Sequence, residues 1–188
     1  MRKRLAEVIA LLDANRTALI ATVDGAGGAF ASVRPRSDAW SVAEIVTHLA
    51  MVEKQIARLM AGSVRWSRDN GVAAETSDES VLACLDAFSV ANPIRKMKAP
   101  AIVDVTGEAN MEEAVKSLES SRLALRQALA DGDGLDLASV TRPHPLLGEL
   151  TLYQWAVLVA QHEERHRRQI EQTLRDVTER AAECAPVP

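Results

Sequence analysis

His48, His162 and His166 fall on the apolar stripes of predicted helices, where an unpaired imidazole is costly. His162 and His166 are spaced i, i+4, which puts both rings on one helix face a turn apart. Such a pair can chelate one divalent cation if a third ligand arrives from another helix, and His48 is the candidate for that ligand. Three neutral imidazoles would leave the ion its full charge and at least one open position, to be taken by water or a thiolate. A metal so held can lower the pKa of water to about 7 for hydrolysis, or keep a thiol ionised for attack on an electrophile. A closed structural zinc site would want a fourth protein ligand, and neither Cys84 nor Cys184 lies beside the histidines. Taken singly, each histidine reads as a packed ring with one hydrogen bond. Taken together, they would have to share the interior without a cation.

Residues around this trio supply second candidates. Gln169 follows His166 by one turn and could hydrogen-bond its ring or a substrate. Arg165 could bind an acidic cosubstrate, although an ion pair with Glu164, Glu171 or a neighbouring helix is the ordinary role. Glu53 is expected at the edge of the buried face of its helix, and Glu163 adjoins His162; either could orient a ligand or act as a base, against a default of solvated helix charge. His144, in Arg142-Pro143-His144-Pro145, could approach the site from a rigid turn or simply meet solvent. Trp66 is expected in a crossover, where it could line a pocket mouth, with a packed loop anchor as the simpler role. Trp40 and Trp155 read as core anchors, and Cys84 as a small buried hydrophobe.

Four long helical patterns must position these groups. The first runs from about Lys3 to Val23 and ends at Gly25-Ala26-Gly27-Gly28. The second is capped by Ser41, with Glu44 completing a capping box; its stripe is Ile45, Leu49, Val52, Ile56 and Leu59, and Gly62 is expected to stop it. The third starts near Asn110, carries Val115, Leu118, Leu125 and Leu129, and ends at Asp131-Gly132. The fourth opens on the Thr151/Gln154 box and continues to about Arg180. A short extra helix is expected from Thr76 to Ser89, followed by an extended stretch through Pro93, Pro100 and Ile102–Val105. The spacing predicts an all-α four-helix bundle with a long crossover, containing the short helix, between the second and third long helices. Residues 1–188 read as a single domain, with 181–188 a frayed tail. Gly25 to Arg36 and Gly62 to Glu75 are the loops expected to shape a pocket.

Composition narrows the function classes. A net charge of −4, from 26 acidic and 22 basic side chains, offers no footprint for nucleic acid or an anionic membrane surface. Two distant cysteines suggest reduced thiols and a cytoplasmic protein. The basic start is followed by an amphipathic pattern broken by Glu7 and Asp13, unlike an export signal, and no apolar stretch is long enough to span a bilayer.

Trp40-Ser41-x-x-Glu44-Ile45-x-x-His48-Leu49, His144-Pro145-Leu146-Leu147-Gly148-Glu149-Leu150-Thr151, Trp155 and His162-x-x-Arg165-His166-x-x-Gln169-Ile170 together resemble the DinB-like (YfiT-like) superfamily of metal-dependent enzymes. The resemblance spans nearly the whole chain, including Lys98-Ala99-Pro100. It implies a four-helix bundle whose metal ligands are one histidine from the second helix and two from the fourth, here His48, His162 and His166. It further implies zinc or nickel, a homodimer, and either thiol S-transfer with a low-molecular-weight thiol cosubstrate or hydrolysis of a small molecule. A non-catalytic metal-binding or stress-response protein, and a dimerising interaction module, are the alternatives.

Overall fold

The computed structural model describes residues 1–25, 30–84, 90, 105 and 109–183. Helices α1 (Lys3–Asp24), α2 (Val42–Asp69), α3 (Met111–Asp131) and α4 (Leu152–Glu183) are joined by a hairpin of β1 (Thr141–His144) and β2 (Gly148–Thr151) ahead of α4. The expected four-helix bundle is present.

Local chemistry sets most helix starts. Ser41 Oγ accepts from Glu44 N–H while Glu44 Oε2 accepts from Ser41 N–H, so two otherwise orphaned donors are satisfied reciprocally. Thr151 and Gln154 form the same arrangement at α4, and Asn110 Oδ1 caps Glu113 at α3. Gly62 does not stop α2, which continues to Asp69. One interior glycine costs only about 1 kcal/mol, and the next turns bury Ser63, Val64 and Ser67. Gly62–Asp69 is therefore helix, not loop.

Contacts along the helices give their directions. Asp13–Arg126 and Arg16–Leu118 run α1 against α3, whereas Glu53–Ser121 and Arg68–Asp131 run α2 alongside α3. His48 meets His162 and His166, while Trp66 near the other end of α2 meets Arg142 just ahead of α4, so α2 and α4 are antiparallel. The parallel α2–α3 pair is what a long crossover makes possible.

At the start of that crossover the expected short helix does not form: Thr76–Val81 carry no helix and Leu82–Cys84 make a turn. Donors and acceptors needed for a first helical turn are taken elsewhere. Glu75 Oε1 accepts from Ser77 N–H, Ser77 Oγ from Glu79 N–H, and Glu7 Oε1 from Val81 N–H. Arg4 adds contacts to Ser77 and the Glu79 carbonyl. Short polar side chains compete with helix in this way whenever a neighbouring element offers partners. Residues 85–89, and the expected extended stretch apart from Val105, lie outside the described residues. Ala181–Glu183 are helical rather than frayed, and 184–188 lie outside the described residues.

The turn expected around Pro143 is instead the β1 strand, pairing Thr141 with Thr151 and His144 with Gly148. Gly148 turns the chain at φ +77, a conformation that side chains with a Cβ avoid. Two apolar clusters fill the bundle. One, toward the hairpin, is built around Leu5, Leu12, Met60, Leu129 and Trp155; the other around Leu19, Ile45, Leu49, Leu118 and Ile170. No described helix is long and apolar enough to cross a membrane.

Candidate metal centre

Between α2 and α4 the three histidines converge. His48, His162 and His166 each offer a ring nitrogen, and these atoms all lie within 4.8 Å of one another. His166 Nε2 is 3.1 Å from His162 Nε2, and the ring centroids of His48 stand 5.3 Å from His162 and 5.0 Å from His166. A tetrahedral ion with metal–nitrogen bonds of about 2.05 Å holds its ligand nitrogens about 3.3 Å apart. The His162–His166 pair is already near that spacing, and the His48 nitrogen lies within 4.8 Å of both. The donor set fits a divalent cation.

Orientation comes from neighbours. His166 Nδ1 lies 2.8 Å from Gln169 Oε1. The amide oxygen can only accept, so it selects the Nδ1–H tautomer and leaves the Nε2 lone pair directed into the trio. The Trp40 ring packs against His48, tilted at 44° with centroids 4.9 Å apart, joining a residue expected only as a core anchor to the site wall. Its place just ahead of the Ser41 cap gave the signal: a large apolar group there folds back over the first turns of the helix.

Burial and the repulsion of neighbouring charges keep the two α4 histidines neutral. Burial, then His166 and His48, hold His162 well below the usual histidine value. Burial and His48 push His166 down to about 3, against a smaller opposite effect of its Gln169 hydrogen bond. Neutral imidazole is the form that ligates metal.

The other expected site residues stand outside the ligand trio. His144 Nδ1 accepts from the backbone N–H groups of Leu146 and Leu147, and its ring packs on Trp155 at 5.2 Å. It closes the hairpin and does not join the trio. Trp66 belongs to α2 and not to the crossover; eighteen residues separate it from His48, about 27 Å of helix. It is 48% exposed with the Arg142 guanidinium over its ring. Arg165 is half-buried and adds a repulsive charge to both α4 histidines. On the same turns Glu164 pairs with Arg167 and Arg168, and Glu171 with Arg167. Cys84 is partly buried against the hairpin-side cluster.

Glu53 and Glu163 correct the expectation of edge or solvated charges. Both are almost fully buried, and each bridges the same two arginines. Arg16 reaches Glu53 Oε2 and Glu163 Oε1, each at 2.6 Å; Arg122 reaches Glu53 Oε1 at 2.6 Å and Glu163 Oε2 at 2.8 Å. Ser121 Oγ donates a further 2.7 Å bond to Glu53 Oε2. The result is a closed ring with one side chain from each helix, two positive and two negative. Arg16 and Arg122 were detectable as charges lying in their helices' apolar stripes, between Leu12 and Leu19 and between Leu118 and Leu125.

The fold and the site together define an all-α bundle carrying a three-histidine cluster of metal-binding geometry. A family model described as DinB superfamily matches residues 11–170, and the chain belongs to that superfamily. It is 24% identical over 149 residues to the protein YuaE of Bacillus subtilis (strain 168), covering 79% of this chain and 85% of that protein. Among solved structures it is similar to TT2238, described as a four-helix bundle protein, with a TM-score of 0.61 and 23% identity over 89% of this chain and 98% of that one. The structural likeness supports the fold.

Proposed function

We propose that the protein is a metalloenzyme in which His48, His162 and His166 hold one divalent ion, with zinc or nickel favoured. The observation that carries the reading is the convergence of three imidazole nitrogens from two helices within 4.8 Å. Bound there, the ion would supply Lewis acidity toward an oxygen or sulfur ligand, and with it thiol S-transfer or hydrolysis of a small molecule. The chain's own groups have separate tasks. Gln169 fixes the His166 tautomer, the Trp40 ring shields His48 from water, and Arg165 brings a positive charge suited to an acidic small molecule or thiol cosubstrate. A homodimer is part of the same proposal.

Elemental analysis of untagged, unchelated protein beside His162→Ala tests it. About one zinc, nickel or similar ion per chain, lost in the variant, is the expected result, and turnover with and without a small thiol then separates transferase from hydrolase. No ion in either protein after loading with divalent metals would refute the metal reading. A loaded protein with no turnover across both reaction classes would leave a non-catalytic metal binder.

A further inference from the structure

The Arg16–Glu53–Arg122–Glu163 ring divides the core. It lies between the hairpin-side apolar cluster and the cluster containing Leu19, Leu49, Leu118 and Ile170, and it is the layer where all four helices meet through directional bonds. Apolar contacts are non-directional and tolerate small slides between helices. The ring fixes discrete partners. Its ion-pair contacts are 2.6–2.8 Å long; sliding one helix by a residue's rise, about 1.5 Å, would stretch that helix's two contacts to about 3.0–3.2 Å, and a slide of one turn, about 5.4 Å, would break both.

Its position relates it to the histidines. Glu163 is the residue after His162 and three before His166, and Glu53 lies five residues after His48 on the same helix. Metal ligands must be held to about 0.2 Å. The α2–α4 offset that decides whether His48 reaches the α4 pair is the offset that Glu53 and Glu163 clamp through their shared guanidiniums. The ring's charges cancel, so its influence on a bound cation is geometric and not a net field.

We propose that this four-helix ion-pair ring is the positioning device of the histidine site, with Arg16 and Arg122 setting the α2–α4 register that brings the three imidazoles together. The proposal rests on the three-histidine reading of the site, and its test separates the two. Arg16→Met, Glu53→Leu, Arg122→Met and Glu163→Leu combined remove the charges as a set, a kind of replacement that buried ion networks tolerate without loss of stability. Cobalt(II) titration read by visible absorption reports affinity and ligand geometry; proton NOEs among the imidazole and Trp40 rings report geometry without metal. A folded fourfold variant should bind cobalt about tenfold more weakly with a shifted spectrum, and its His48-to-His162 and His48-to-His166 NOEs should weaken. Unchanged affinity, spectrum and NOEs in the folded variant would overturn the proposal. If that variant does not fold, Arg16→Lys decides by the same criteria, because it keeps the charge but removes the fork that spans both carboxylates. Should the wild type take up no cobalt, the metal reading fails while the metal-free NOE comparison still decides the ring's role.

Discussion

Removing a single member of the buried ring should be far more damaging than removing all of it. In Arg122→Met the apolar stem is kept and the charge lost. Arg122 is 6% exposed and donates to Glu53 Oε1, Glu163 Oε2 and the Leu12 carbonyl at 2.6, 2.8 and 2.5 Å. Its loss leaves two buried carboxylates facing Arg16 alone, with one oxygen of each deprived of its guanidinium. Breaking a buried pair in this way costs about 3–5 kcal/mol, a large part of the roughly 5–15 kcal/mol that holds a typical domain folded. With a urea slope of about 2 kcal/mol/M, the unfolding midpoint should fall by about 2 M at pH 7 with the slope unchanged. The deficit should also narrow toward pH 5. Burial already raises the Glu163 carboxyl above the usual range, and loss of one arginine raises it further, so protonation at lower pH relieves the unpaired charge in the folded state. Urea titrations followed by far-ultraviolet circular dichroism at both pH values provide the assay. A loss below about 1 kcal/mol at pH 7 would mean that the ring behaves as a solvated surface network, and the reasoning fails.

Gln169→Leu should weaken metal binding about tenfold by freeing the His166 tautomer, with little change in stability, as a competition titration against a coloured chelator would read. In chelated protein the depressed histidines make the native state bind fewer protons than the unfolded chain below pH 6.5, so stability must fall as pH drops from 7 to 5; His166 alone should contribute about 2 kcal/mol of that loss, and His166→Leu should flatten the dependence in urea titrations. Gly62→Ala should stabilise α2 by about 1 kcal/mol, because a Cβ there meets nothing within 4 Å and the helical backbone already suits alanine; an unchanged or lower melting temperature would contradict this.

Local sequence was enough to place the helices because their starting signals act within a few residues. Ser41 with Glu44, Asn110 with Glu113 and Thr151 with Gln154 each satisfy donors inside one turn, whatever the rest of the chain does. Where the partner was distant, local reading failed. Thr76–Val81 look like a helix start, but the Arg4 side chain of α1 takes the Ser77 hydroxyl and Glu79 carbonyl and Glu7 takes the Val81 N–H, and Thr141–Thr151 form a hairpin by pairing with each other. The histidine trio was legible since i, i+4 spacing is a property of one helix and His48 stood out on the stripe of another. That Gln169 orients His166 follows from the same periodicity. The meaning of Glu53, Glu163, Arg16 and Arg122 was decided only by tertiary structure. A charge in an apolar stripe is destabilising by itself, and whether it is compensated depends on which opposite charges three other helices deliver to the same layer, a relation that no single helix's periodicity contains.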